Sequence, residues 1–350
     1  MRASIWSTLV AIALVGGAAI SATALSSAAA LAEEFTPDPV DEAAARREGA
    51  VTWYTSTPVR AAQYIATEFE RTTGIKVELL RTGGGEVIRR FQQEAAAGRF
   101  AADVITMSDM SADNDMARRG RFAPFKPAGF EKVIADAKDP AGNFIAQRLT
   151  MVGMLVRTDK VAAADRPATW SDLAAPKYKG MLVMADPSFT AIQLVVVATL
   201  SQKLGWSFYE DLRKNDVMIV QSHEQIYDTV KRGERLIAAE ASDPRIYTGG
   251  ELPPNMVSVI PRNGAIEVPS PTAIVKGSPH PNAARLFAQF NLTPAIQNKF
   301  TEEGHHSPRV DIAPPPGLPR LDELTLYPAD YDYIEKSTKQ IKAKFADIFQ

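Results

Sequence analysis

The sequence predicts an α/β fold in which short strands and amphipathic helices alternate and the strands form mostly parallel sheets. Two observations carry this prediction. Residues 50–107 read as strand, helix, strand, helix, strand, and residues 151–239 repeat the same alternation. Connections between neighbouring parallel strands are right-handed crossovers, so each stretch is expected to form one sheet with helices packed against it.

The first alternation begins with the run AVTWYT at residues 50–55, which is rich in β-branched and aromatic residues. Residues 59–73 follow, with apolar side chains at helical spacing. Two further strands are predicted at residues 76–80 and 103–107, with a helix over residues 86–97 between them.

The second alternation has the same pattern and is followed by a proline-rich segment. Strands are predicted at residues 151–157, 181–185, 217–220 and 236–239, and helices at residues 190–204, 206–214 and 224–232. We expect short strands at residues 265–268 and 273–276 with a proline-rich turn between them, and closing helices from residue 329 onward.

Composition and charge exclude several classes of protein. The 350-residue chain has 39 Lys and Arg against 41 Asp and Glu, and it contains no Cys. This near-neutral balance argues against nucleic-acid binding through bulk positive charge. The lack of Cys excludes a disulfide scaffold and a thiolate metal site.

The N-terminal residues 1–32 have the pattern of an export signal. Arg2 supplies a positive start, residues 5–15 are mainly apolar, and Ala30-Leu31-Ala32 is a small-x-small cleavage sequence. We therefore expect cleavage near Ala32 and a mature protein in a bacterial periplasm.

Small polar residues and glycines follow the predicted strands in both halves of the chain. The carboxyl ends of parallel strands meet at one edge of a sheet, where such folds bind ligands. The candidate ligand-binding residues are Ser56, Thr57, Thr82, Gly83, Gly84, Gly85 and Ser108 in the first half, and Ser188, Thr190, Ser222 and Ser242 in the second.

The run Thr82-Gly-Gly-Gly85 is the most informative of these motifs. Glycines between a strand and a helix let the backbone approach a ligand, and a helix N-terminus favours an anion. The alternative is a tight turn with a glycine N-cap. Helix capping is likewise an alternative role for Ser56, Thr57 and Ser222.

Several segments, taken in order, resemble the type II periplasmic solute-binding proteins of ABC importers, in the family-1 group that includes the ferric-iron binders. Each segment is weakly specific alone, but their order behind an export signal is specific. The segments include GAVTWYTS at 49–56, TGGGEVIRR at 82–90, PATWSDLAAPKYKG at 167–180 and AIVKGSPHPNAA at 273–284.

The resemblance implies two α/β lobes joined by a two-stranded hinge, with the ligand in the cleft between them. The lobes would comprise residues 33–147 plus 269–350, with the C-terminal helices on this first lobe, and residues 148–268. It further implies a monomer without a cofactor or catalytic activity, which delivers a small solute to a membrane permease and its ATPase.

The predicted ligand is a small anion: an organophosphate, a phosphonate or a carboxylate. Ferric iron is the alternative, but iron binders of this group carry an adjacent tyrosine pair where this chain has only Tyr247. No metal site is predicted, and the pair His305-His306 is expected in a surface loop. Arg60 and Arg81 are expected to be solvated surface residues.

A periplasmic hydrolase is a further alternative. The chain has no G-x-S-x-G, H-E-x-x-H or P-loop lysine. None of its four histidines follows a predicted strand with an evident carboxylate partner. The sequence therefore favours a binding protein over an enzyme.

Overall fold

The computed structural model describes residues 35–350, so the predicted export signal at residues 1–32 lies outside the described part. The helices are α1 Glu42–Glu48, α2 Val59–Thr73, α3 Gly84–Ala96, α4 Met110–Arg118, α5 Ala191–Leu204, α6 Trp206–Lys214, α7 His223–Arg232, α8 Arg245–Thr248, α9 Pro281–Asn291, α10 Pro294–Glu302 and α11 Tyr331–Phe349. The strands are β1 Ala50–Thr55, β2 Lys76–Arg81, β3 Val104–Thr106, β4 Ile145–Arg157, β5 Leu182–Ala185, β6 Met218–Val220, β7 Ile237–Ser242, β8 Met256–Val259 and β9 Ile266–Ile274.

The strands form one continuous sheet in the order β2-β1-β3-β9-β4-β7-β5-β6, with β8 paired to β4. Its two ends are parallel: β1 pairs with β2 and β3, and β5 pairs with β6 and β7. The long strands β4 and β9 pair antiparallel in the middle. The predicted α/β class is confirmed, with two parallel segments joined by an antiparallel centre.

Each end of the sheet has its own hydrophobic core, as expected for a two-lobed fold. Trp53, Phe69 and Phe287 belong to the core around β1, where the rings of Phe69 and Phe287 meet edge to face at 5.0 Å. Trp170 and Tyr209 belong to the core around β5 and α5. Since apolar burial is the main stabilising term in folding, each lobe has its own source of stability.

Helix α5 is the most completely enclosed of the lobe helices, because residues 193–201 are all buried. It is a core helix and ends at Leu204, before Gly205. Within residues 35–350, no helix is both long and apolar enough to cross a membrane.

Strand β9 differs from the sequence prediction, which placed a proline-rich turn between two short strands. It runs unbroken through Pro269 and Pro271 and pairs with β4. Opposite Pro269, the backbone N–H and C=O of Leu149 bond to His306 at 2.9 and 3.0 Å, and therefore face away from β9. Pro269 sits at a non-hydrogen-bonded position, where its missing N–H costs no ladder bond.

The last helix also differs from its predicted location on the first lobe. Ile341 and Phe345 of α11 belong to the core that contains Tyr209 of α6, and α11 packs against α5 and α6. An ion pair between Arg118 and Glu335 ties α11 to α4 as well. The helix therefore spans both halves, with its apolar face on the second.

A buried carboxyl group lies in the core of the second half. Glu240 of β7 accepts a hydrogen bond from the Tyr209 hydroxyl at 2.9 Å and another from the Gln193 amide. Burial raises the pKa of Glu240 from 4.5 to about 7, because the charged form loses its hydration.

This carboxyl is expected to make stability depend on pH. Between pH 4.5 and 7 the unfolded chain ionises at Glu240 while the folded chain keeps its proton. The free energy of unfolding therefore falls as pH rises through this window, by roughly 3 kcal/mol for this group. We expect Glu240→Gln to reduce this fall, as measured by urea unfolding at pH 5 and pH 8.

Glu210→Gln, which changes an exposed carboxylate on α6, serves as the control. A Glu240→Gln variant that keeps the whole wild-type difference between the two pH values contradicts the assignment.

Candidate functional site

A cavity of about 640 Å³ lies where the carboxyl ends of strands from both halves meet. It combines residues that follow β1, β2 and β3 with residues that follow β5, β6 and β7. The cavity brings together eight of the predicted ligand-binding residues: Ser56, Thr82, Gly83, Gly84, Ser108, Thr190, Ser222 and Ser242.

Three predicted residues do not line this cavity. Gly85 lies one residue further into α3, and Ser188 is exposed on the turn before α5. Thr57 is fully buried behind the cavity. The Thr57 hydroxyl contacts residues that line or support the cavity, whereas Ser188 donates its backbone amide to Asp186.

Four helices begin at the cavity: α2, α3, α5 and α7. Of these, only α7 has a side-chain cap, in which Ser222 accepts a hydrogen bond from the Gln225 amide at 3.1 Å. In the described structure α2, α3 and α5 begin without one, so N–H groups of their first turns remain for a ligand or water. The exception in α3 is the Glu86 amide, which donates to the Gly83 carbonyl at 2.9 Å. Each helix N-terminus carries a partial charge of about +0.5, which favours an anion.

Arg148 of β4 is the most deeply buried cationic group at the cavity, with 2% of its surface exposed. Its Nη1 donates to Thr57 Oγ1 at 3.0 Å and to Gln147 Oε1 at 2.9 Å. Its Nε has no partner within residues 35–350, and no described carboxylate pairs with it. A buried charge without a counter-charge is costly, and an anion in the cavity would offset that cost.

The pKa of Arg148 is lowered to about 9 by burial first and by the nearby positive charge of Arg81 second. Arg148 is still protonated at neutral pH, so the cavity keeps a positive charge. Arg81 lines the same cavity and donates from Nε to the Thr57 carbonyl at 3.1 Å. Thr57 thus positions both arginines, one through its hydroxyl and one through its carbonyl.

Two buried histidines add neutral polar groups. Nδ1 of His223 accepts from the Ser242 amide at 3.2 Å, which assigns the proton to Nε2. Burial lowers the pKa of His223 to about 4, so the ring is neutral at pH 7. Nδ1 of His305 lies 3.3 Å from Thr150 Oγ1, and burial also lowers the pKa of His305. Neither Nε2 atom has a partner among the described residues.

Tyr247 is the tyrosine that lines the cavity. Its hydroxyl lies 3.1 Å from Ser242 Oγ, and its ring stacks on that of Tyr227 at 5.9 Å. Burial raises the pKa of Tyr247 to about 12, so the phenol stays protonated at neutral pH. No group of three or more His, Asp or Glu side chains in residues 35–350 is arranged to hold a metal ion.

The sequence analysis missed the most strongly charged part of this site. It did not single out Arg148, and it expected His305 and His306 in a surface loop, whereas both are buried. It expected Arg60 and Arg81 to be solvated, and both are exposed, but it did not place them at the cavity, which both line. An arginine within the apolar-flanked run of β4 was the available signal, because a charge inside a buried strand requires a partner.

A second cavity of about 400 Å³ is lined by both acidic and basic side chains, among them Asp136, Asp139 and Lys138. It is lined by Glu267, which pairs with Met151 and therefore lies on the sheet face opposite to Arg148 and Thr150. Burial and Asp136 raise the pKa of Glu267 to about 8. Glu267 is therefore protonated at neutral pH, and no fully buried cation comparable to Arg148 is among the described residues that line this second cavity.

The two sheet segments, the long paired strands between them and the cavity at their tips define a two-lobed periplasmic binding protein of type II. Solved structures share this fold. AfuA from Actinobacillus pleuropneumoniae, with exogenous fructose-6-phosphate bound, is 21% identical with a TM-score of 0.75, over 86% of this chain and 98% of that one. Iron-bound HitA from Pseudomonas aeruginosa is 20% identical with a TM-score of 0.74, over 86% and 99%.

The model of the family described as bacterial extracellular solute-binding protein matches residues 101–337, and the chain belongs to this family. A putative 2-aminoethylphosphonate-binding periplasmic protein of Salmonella paratyphi A is 25% identical over 264 residues, which are 70% of this chain and 73% of that protein. The predicted class, a solute-binding protein of the ABC-transporter type, is confirmed.

The uncompensated charge of Arg148 predicts a stability effect without ligand. Arg148→Met removes the buried charge, and Thr57 Oγ1 keeps its bond to Gln147 Oε1 at 3.1 Å, so neither group loses its last partner. We expect the ligand-free variant to be more stable by about 1–3 kcal/mol in urea unfolding without added oxyanions.

Arg213→Met, at an exposed arginine of α6, is the matched control and should change stability little. If Arg148→Met instead destabilises the ligand-free protein, the charge is compensated and this account of the site is wrong.

Proposed function

We propose that this protein captures a small organic anion in the 640 Å³ cavity and delivers it to the permease and ATPase of an ABC importer. The carrying observation is the buried guanidinium of Arg148, which has no carboxylate partner in the described chain. An organophosphate, a phosphonate or a carboxylate would supply the missing negative charge. The helix N-termini at the same cavity also favour binding of an anion.

Each part of the site has a role in this proposal. Arg148 and Arg81 supply charge, and Thr57 positions both of them. The first-turn amides of α3 and α5 donate hydrogen bonds to the anion. The proposed direct contacts also include the lining residues Ser56, Thr82, Gly83, Gly84, Ser108, Thr190, Ser222 and Ser242.

We further propose that capture proceeds by lobe closure about β4 and β9. Lobe boundaries at residues 147/148 and 268/269 are supported by the pairing of Leu149 with Pro269 in the middle of these strands. Contacts that the ligand makes with both lobes exist only in the closed state, so the ligand shifts the population toward closure.

The proposed location is the periplasm, as a monomer, after removal of residues 1–32 near Ala32. The family of extracellular solute-binding proteins supports export. The sequence pattern of residues 1–32 supports the position of cleavage.

Ferric iron is the second candidate, since iron-bound HitA shares the fold. Iron prefers ionised oxygen ligands, and Tyr247 is a single phenol whose pKa is raised to about 12. The residues present therefore suit an anion better than a bare metal ion. The family is one of solute-binding proteins, which supports binding without turnover.

Thermal unfolding and calorimetry with a ligand panel test the proposal. The panel contains inorganic phosphate, methylphosphonate, 2-aminoethylphosphonate, fructose-6-phosphate, citrate and ferric chloride. An anion at about 100 times its Kd should stabilise the protein by roughly 2.7 kcal/mol. Stabilisation by ferric chloride alone, or by nothing in the panel, overturns the proposal.

Arg148→Met provides the residue-level test. Removing a charge-assisted hydrogen bond should weaken binding of every anion in the panel about 100-fold, measured by calorimetry. Arg213→Met should bind as the wild type does. Equal affinities of Arg148→Met and wild type would show that the anion does not use this guanidinium.

A further inference from the structure

Two large apolar side chains remain exposed at the wall of the same cavity. Val59 is 49% exposed and Phe189 is 58% exposed, and both line the cavity. Val59 is the first residue of α2, and Phe189 immediately precedes the N-terminal cap of α5, so the two come from the two halves of the chain. Exposed apolar surface inside a binding cavity commonly marks ligand contact.

The exposure of Phe189 is built into its turn. Asp186, which is buried, accepts the Ser188 amide through Oδ1 at 2.7 Å and the Phe189 amide through its carbonyl at 3.2 Å. These bonds fix the backbone that presents the ring to the cavity. Burying the ring would stabilise the molecule, so a ligand that covers it gains binding energy.

Burial divides the cavity into two regions. Arg148 is almost fully buried, whereas Val59 and Phe189 lie at the solvent-exposed part. A charged head at Arg148 thus leaves space towards the apolar pair. The volume of about 640 Å³ falls in the range that holds a whole organic ligand, well above the roughly 30 Å³ that one water occupies.

We propose that Phe189, together with Val59, selects anions that carry an uncharged, largely apolar body of several carbons and disfavours bare oxyanions. This inference rests on the proposed anion-binding function and specifies its substrate class. The anionic head binds at the buried end, and the body covers the two exposed side chains.

The test is calorimetry with methyl-, propyl- and pentylphosphonate, which share a head group and differ in chain length. In the wild type we expect Kd to fall about threefold for each added methylene, because each one is partly buried on Phe189. Phe189→Ser should reduce this fall to less than about 1.5-fold per methylene, and Val59→Ser should reduce it to a value between that of Phe189→Ser and that of the wild type.

Two further variants separate the effects. Val310→Ser changes an exposed valine away from this cavity and should keep the wild-type dependence on chain length. Arg148→Met should weaken all three ligands by the same factor and keep the same fall per methylene. This pattern distinguishes contact with the ligand body from contact with its head.

The outcomes also distinguish failure of the selection by Phe189 from failure of the proposed anion binding. Binding of methylphosphonate with no gain from longer chains overturns the selection by Phe189 and leaves anion binding standing. A chain-length dependence in Phe189→Ser equal to that of the wild type overturns it as well. If citrate or fructose-6-phosphate binds and no alkylphosphonate does, the selection by Phe189 is overturned and anion binding stands. If no alkylphosphonate and no anion of the ligand panel binds, both proposals fail together.

Discussion

The site depends on one unbalanced charge. Arg148 is held in a nearly solvent-free position by Thr57 and Gln147, and neither of these neutral groups cancels its charge. A buried guanidinium without a counter-charge lowers the free energy of unfolding of the ligand-free protein. Such a cost is typical of functional sites, where local stability is exchanged for affinity, and it makes ligand binding and conformational stability two aspects of the same interaction.

The α/β architecture explains why so much positive potential gathers at this point. Parallel strands place all their following helices with N-termini at the same edge, and this chain brings two such edges together across β4 and β9. The donors of α3 and α5 therefore need no charged side chains of their own. Backbone dipoles held by the fold require little reorganisation when an anion arrives, which makes the cavity preorganised.

The strand β1 and the helix α2 were predictable from the sequence, because residues such as Trp53 and Phe69 follow the local periodicity of a strand and a helix. The position of Gly83 and Gly84 at the end of a strand was also predictable, since it depends only on neighbouring residues in the sequence. Arg148 and His305 were missed because each contacts a threonine that is far away in the sequence. Arg148 contacts Thr57, and His305 contacts Thr150. The continuity of β9 through Pro269 was not predictable, because it depends on the orientation of Leu149 in the paired strand β4, which local sequence does not show.

The prolines of β9 also restrict how the two halves can move. A slip of β9 by one residue along β4 would place Pro269 at a hydrogen-bonding position, where it has no N–H to donate, and would turn every β9 side chain to the other face. Sliding is thus excluded as a low-energy motion. Under the proposed lobe closure, the movement comes from bending or twisting of the two strands, and the strand register beneath Arg148 stays the same in the open and closed states.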